Sequence, residues 1–398
     1  MLLTKIFTSA LLAVGFVAAV PRVQKLDETE FTLFGKPGHY SGLIKRLDEA
    51  LPNVSVNKVI KDVNHINMNY PHDARPGWNR EFSWSKRKDG TYNDQGTKKW
   101  YPQGITSSSD AYGKGTYGKN DIILASWYDH TTKKATDPKN KGVRISFIDN
   151  GRSKPAYRNV LLVVPYETKK GNISYHPVRI HAGGIMWYGD KLYVVDTDAG
   201  IRIFDLGHIY KVSNGKKIGH VGKGKYTAAN YKYIIPQWGH YLAKSKTAKG
   251  FNFSFISLDR TTKPDSFLVG QYDKTGKKNR IARFELDAGT RMPKHSSGTT
   301  AVATQFYKIG LKSMQGAVSV TQKNGDQKYF FTCSKGDGPS AYGTLYTWIP
   351  GKGLQPHTKA LSRGPEDLMY RKQTNSIYTL GEHPGDRPIY GINADKYD

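Results

Sequence analysis

From Trp100 onward the chain repeats one short pattern, a polar or small residue beside a glycine, proline or acid just ahead of an apolar residue. The copies are Pro102-Gln103-Gly104-Ile105, Ala182-Gly183-Gly184-Ile185, Pro236-Gln237-Trp238-Gly239, Met314-Gln315-Gly316-Ala317 and Pro365-Glu366-Asp367-Leu368. Each leads into two or three apolar, β-branched runs separated by Gly, Asn or Asp, the rhythm of antiparallel strands and tight turns. In the cleanest unit Gly184 to Tyr188, a Gly189-Asp190 turn, Leu192 to Asp196, an Ala199-Gly200 turn and Ile201 to Leu206 follow one another. The first unit repeats that order, with Gly142-Val143-Arg144 standing where Gly200-Ile201-Arg202 stands in the second.

Unequal spacing between copies excludes a strict solenoid and suits a repeated four-stranded blade with variable loops. The reading is therefore an all-β β-propeller of at least five and up to seven blades, with a β-sandwich as its rival. The last unit, Glu366 to Asn393, is short. A strand from the N-terminal part, sought in Val54 to Tyr70, is expected to complete it, so that both ends of the chain close the ring and hide sheet edges. The 26 Tyr, 7 Trp and 41 Gly among 398 residues favour strands and turns over helices.

Lys5, the apolar stretch Ile6 to Val17 and Ala18-Ala19 read as an export signal over residues 1–19, which places the mature chain outside the cell. No later stretch approaches the roughly 20 apolar residues of a membrane span. Lys45-Arg46 is a dibasic pair whose cleavage would release residues 20–46 as a propeptide, leaving 47–398 as a single propeller domain. The competing reading is an ordinary helix, because Leu43, Ile44, Leu47 and Leu51 fall on one face. Cys333 is the single cysteine, so stability rests on the core and not on a disulfide, and its setting in Tyr329 to Thr332 reads as a buried, inert thiol. Asn53, Asn172 and Asn252 open glycosylation sequons.

The formal net charge is +27, and the excess belongs to the part beyond Arg46, since residues 1–46 hold six basic and three acidic side chains. A field of this sign favours polyanions. Outside a cell these are chiefly acidic polysaccharides; no nucleic-acid motif accompanies the lysines, which ranks nucleic acid below them as a partner. A monomer is expected.

Inner strands of a propeller converge at one end of the axis, so the repeated element would deliver Gln103, His181, Gln237, Gln315, Glu366 and Asp367 to a central pocket. The alternative is that these residues satisfy tight turns between blades. His181 is the first candidate base, beside Gly183-Gly184 and near Arg179, which would pair a carboxylate. His240, with Trp238 placed to stack on a sugar, comes second, and Tyr188, Tyr101 and His383 follow. No nucleophile elbow, zinc helix or phosphate loop is present, and no cofactor is called for; Asp196-Thr197-Asp198 and Asp337 would at most suit calcium. Hydrolysis normally needs two flanking carboxyls, and Glu366 and Asp367, adjacent on a strand, point to opposite faces. The pattern thus favours a polysaccharide lyase acting by β-elimination on a uronate, with a lectin-like or polyanion-binding propeller as the alternative.

Trp100-Tyr101-Pro102-Gln103-Gly104-Ile105, His181-Ala182-Gly183-Gly184-Ile185 and Leu192-Tyr193-Val194-Val195-Asp196-Thr197 resemble a group of uncharacterised secreted β-propeller proteins of fungi and actinomycetes. The resemblance spans the chain from about Trp100 and implies fold and export. Similarity to propeller polysaccharide lyases and lectins is one of architecture alone.

Overall fold

A computed structural model describes residues 22–66, 68, 77–87, 90–132, 137–243 and 250–397; the proposed signal segment lies outside the described residues. The chain is mostly strand and builds antiparallel four-stranded meanders. The first comprises Trp100–Ser107, Ile122–Asp129, Val143–Asp149 and Ala156–Glu167. The second comprises Ile185–Tyr188, Lys191–Asp196, Gly200–Asp205 and Tyr233–Ala243. Phe253–Asp259, Ser266–Gln271, Arg280–Asp287 and Gln305–Lys308 form the third. Met314–Thr321, Gln327–Cys333, Thr344–Trp348 and Gln355–His357 form the fourth. Met369–Arg371, Ser376–Leu380 and Pro388–Asn393 form the fifth, whose outer strand is Trp78–Ser83.

The first strands touch one another in a closed cycle, each against the next and the fifth against the first. Apolar clusters fill the spaces between neighbouring meanders. Ile122, Leu124 and Ile145 face Ile185, Trp187 and Leu192 of the second meander, whereas Ile123, Ala125 and Trp127 face Phe82, Met369 and Leu380 of the fifth. Odd and even residues of one strand thus enter two different cores, which is why the runs read as continuously apolar. A sandwich has one core between two sheets; these sheets are covered on both faces.

The repeated glycines have a steric cause. A Cβ on Gly104 would sit 2.7 Å from the Ile185 nitrogen, one on Gly184 2.5 Å from the Ile256 nitrogen, and one on Gly316 2.9 Å from the Asp367 carbonyl carbon. The first strands meet at backbone-to-backbone distance, with no space for a side chain. Gly184→Ala is therefore expected to cost about 1–3 kcal/mol, the range of overpacked sites, read as a lowered denaturant midpoint. An unchanged midpoint would show that the strands separate freely.

Two sequence expectations are corrected. Pro236-Gln237-Trp238-Gly239 does not open a first strand: it lies in the outer strand of the second meander, and Phe253–Asp259 opens the third. Gly239 is needed there because a Cβ would lie 2.8 Å from the Lys36 carbonyl oxygen of an added N-terminal strand, Thr32–Lys36. The same demand for close approach produced the same local sequence at a different place. Second, the strand that completes the fifth meander is Trp78–Ser83, not one within Val54 to Tyr70. Asn53–Val54 pairs with Ile209–Lys211 and Val56–Lys61 is helical.

Ser41–Ala50 forms a helix, with Ile44 and Leu47 buried against the rim of the first and second meanders. Arg46 donates to Glu167 Oε2 at 2.5 Å and to the Gly171 carbonyl at 2.6 Å. Cys333 is buried, which raises the pKa of its thiol. Among the described residues no helix is long and apolar enough to cross a membrane.

Candidate functional site

A cavity of about 560 Å³ opens where the first strands begin, and every meander contributes to it. Gln103 comes from the first, Ser254 from the third and Gln315 from the fourth, while His181 and Glu366 stand just ahead of the second and fifth. Strand register shifts at three of these points, between Pro102 and Ile105, between Phe253 and Phe255, and between Met314 and Gly316. A bulge leaves one residue out of the ladder and re-aims it. The residues so released are Gln103, Ser254 and Gln315.

His181 is positioned by the turn that follows it. Ala182 adopts a left-handed conformation with φ of 55°, and its carbonyl accepts from Ser126 Oγ at 2.8 Å. Gly183 lies so close to Ser254 that a Cβ would meet its carbonyl oxygen at 2.2 Å. The His181 ring rests against Tyr128, with centroids 4.4 Å apart. Its ring is open to the solvent of the cavity but otherwise enclosed by protein. That enclosure and the neighbouring His130 both press its pKa down, so the imidazole is neutral at pH 7. Arg179, half-buried in the wall, donates through Nε to the Asn140 carbonyl at 3.0 Å.

The same cavity holds two carboxyls, Glu366 and Glu382. Burial and the neighbouring Glu382 charge hold the Glu366 pKa well above the usual carboxylate range. Burial raises Glu382 as well. Gln315 Nε2 donates to Glu366 Oε1 at 2.9 Å and Gln103 Nε2 to Glu382 Oε2 at 3.0 Å. Burial and like charge therefore both disfavour ionising the two carboxyls together.

Asp367 faces away from the cavity. It is fully buried, and its Oδ2 accepts from the backbone nitrogens of Ile105 and Ile185, both at 3.2 Å, tying three first strands together. Burial raises its pKa well above 3.8. A carboxyl whose pKa is higher in the folded than in the unfolded chain lends stability that is full below about pH 3.9 and is lost as pH rises through the folded value. Asp367→Asn keeps the accepting oxygen and removes the ionisation, so it is expected to raise the melting temperature at pH 8, with the gain shrinking toward pH 4. A gain that does not depend on pH would refute the buried-acid account.

Several predicted residues lie elsewhere. Gln237 is buried, accepting from Arg202 Nη1 at 2.8 Å, and with His240 it lines a separate cavity of about 200 Å³. Trp238 packs half-buried below Lys191, whose Nζ is 4.9 Å from its ring. Tyr188 is fully buried and donates to Asp265 Oδ2 at 3.0 Å. None of these four faces the central cavity, because the outer strand and the apolar face of the second meander point away from its mouth. Tyr101 packs beneath Arg387, and His383 lines a neighbouring cleft.

Tyr128, Glu382, Asp196, Thr197, Asp198, Asn252 and Tyr272 also line the cavity and were not assigned to it by sequence. One signal was present. In an antiparallel meander the end of the second strand returns to the start of the first, so polar residues that close second strands border the same mouth. Tyr128, Asp196 and Glu382 all stand at such ends. Asp196 is engaged by Arg202, whose Nε and Nη2 both lie 2.8 Å from its Oδ2. Among the described residues no group of three His, Cys, Asp or Glu side chains is placed to hold a metal.

No family model and no curated protein matches the chain. Solved structures of similar shape include the β-propeller domain of Myceliophteria thermophila Cps50 (Swd1), 9% identical, TM-score 0.34, covering 76% of this chain and 99% of that one. A thermostable family-43 glycoside hydrolase is 8% identical, TM-score 0.35, covering 76% and 91%. An endo-arabinase from Bacteroides thetaiotaomicron is 9% identical, TM-score 0.33, covering 68% and 88%. At these scores the likeness decides nothing about the chemistry.

Proposed function

We propose that the meanders are the blades of a closed five-bladed β-propeller whose central cavity binds a uronate-containing polysaccharide and cleaves it by β-elimination. The observation that carries the reading is the meeting, in one cavity, of a neutral imidazole, a guanidinium and a buried carboxyl pair. His181 takes the proton beside the uronate carboxylate. Arg179 and the Glu366 carboxyl, whose raised pKa favours its protonated form, offset the negative charge that grows on that carboxylate. Electrons of the broken C–H bond form the new C=C bond as the glycosidic C–O bond breaks, and the Tyr128 hydroxyl supplies a proton to the departing oxygen. Proton exchange with solvent restores both side chains.

A hydrolase places its two carboxyls on either side of the bond, about 5–5.5 Å apart for retention and about 6.5–9.5 Å for inversion, whereas Glu366 and Glu382 stand as one pair of neighbouring buried groups. The test is a screen of uronate polysaccharides for ultraviolet absorbance of an unsaturated product. Reducing ends appearing without absorbance would replace elimination by hydrolysis, and binding without either would leave a lectin.

Asn252 lines the cavity. A glycan on it would occupy the ligand's space, so peptide mapping of the exported protein is expected to find Asn252 unmodified even where Asn172, on an exposed turn, carries one. Full occupancy at Asn252 in active protein would move the site elsewhere.

A further inference from the structure

Beside the cavity runs a second, larger cleft of about 780 Å³ between the third, fourth and fifth meanders. Tyr272, Gln315 and Glu382 line both, so the two spaces adjoin. Lys274, Lys312 and Lys335 stand in its wall, each on a different loop: after the second strand of the third meander, before the first strand of the fourth, and after the second strand of the fourth. All three are exposed, and none makes an ion pair with a described residue. Two carboxyls share the wall, Asp337 and Glu382, and burial raises the pKa of Glu382. Asp273 is turned into its own loop, accepting from Thr275 and from the Lys278 backbone.

On the second-meander side of the cavity stand Asp196, already paired with Arg202, and Asp198, which is exposed. An anionic chain seated at His181 is repelled by Asp198 on that side and attracted on the lysine side. We propose that the cleft is the path by which the anionic polysaccharide leaves the cavity, with Lys274, Lys312 and Lys335 as counter-charges for the sugars beyond the one that reacts. This rests on the function proposed above and adds the direction and the length of the bound chain.

The probes are galacturonate and oligogalacturonates of two to six units, titrated against the His181→Ala protein so that nothing is consumed. Affinity is expected to rise with length and to fall with salt. Adding Lys274→Gln, Lys312→Gln and Lys335→Gln should lower hexamer affinity roughly 3- to 100-fold, as three exposed charge pairs allow, and leave the monomer's unchanged. A control with Lys216, Lys217 and Lys225 changed to Gln, at the hairpin of Ile218–His220 with Tyr226–Ala228, should lose less than half as much. Equal loss in both variants, or none in the first, overturns the cleft path. If length-dependent binding needs the three lysines but the unsubstituted protein makes no unsaturated product, the elimination reading falls and the cleft stands. Absence of any oligogalacturonate binding overturns both.

Discussion

Replacing His181 by alanine lowers turnover on the uronate polysaccharide by roughly 10²- to 10⁴-fold, the range of a lost general base, and leaves the melting temperature within a degree or two. The ring rests on Tyr128 at the edge of the cavity and is open to solvent, so its loss empties no core. Protein structure around it is held by Ala182 and Gly183, whose contacts run through the backbone. The pH profile adds a check that a merely structural role would not produce. Because the folded pKa of His181 is pressed below its ordinary 6.5, the base is free across the neutral range and kcat/KM falls only on the acid side. Glu366 acts in the opposite sense: its proton is lost at high pH, and activity should decline there. Full turnover in His181→Ala would end the elimination mechanism.

Loss of the segment before Lys45-Arg46 is expected to unfold the protein. Phe31 is fully buried, with ring centroids 4.8 Å from Phe251, 5.0 Å from Phe306 and 5.8 Å from Phe284. Phe31→Ala alone should cost about 3–5 kcal/mol, as for other large aromatic truncations in a core. Beyond Phe31, residues Thr32–Lys36 pair with the outer strand of the second meander, in register from Lys36 against His240 to Leu33 against Ala243. Arg46 lies inside a helix and is held by Glu167 and Gly171, so a protease needing extended chain meets it only after the helix opens. A protein that starts at residue 47 should show no cooperative denaturant transition. If it melts with the midpoint and slope of the longer chain, residues 20–46 are a removable propeptide.

How far the sequence could be read depends on the range of the forces involved. The strand at Leu192, the Gly189-Asp190 turn and the strand at Ile201 were legible because turn chemistry and apolar runs are local, and the structure has Lys191–Asp196 and Gly200–Asp205 joined as a hairpin. The repeated glycines were legible as a pattern, although their cause was not. Gly104 and Gly184 answer to crowding of backbones that come from separate meanders, and Gly239 answers to an N-terminal strand some 200 residues away in the chain. One sequence pattern served two places, so Gln237 was expected in the cavity while Asn252 and Ser254 hold that place.

The carboxyl pair shows the same limit from the chemical side. Adjacent residues Glu366 and Asp367 drew attention as the visible acids, and the strand geometry separates them, one toward the cavity and one into the interior. The effective partner of Glu366 is Glu382, across the first hairpin of the fifth meander. Ala182 could not have been foreseen either, since nothing about an alanine announces a left-handed backbone; the contacts around it impose one.

By itself the sequence determined where many strands and tight turns fall, the excess of positive charge and the absence of a disulfide, because propensity, turn chemistry and residue content act within a few residues. Tertiary structure alone decided which repeated element opens a meander, that Trp78–Ser83 completes the fifth, that Glu366 is buried beside Glu382, and that lysines of three loops line one cleft. Each of these is a contact between segments distant in the chain, and its sign and strength depend on burial that exists only once the meanders have packed around their common centre.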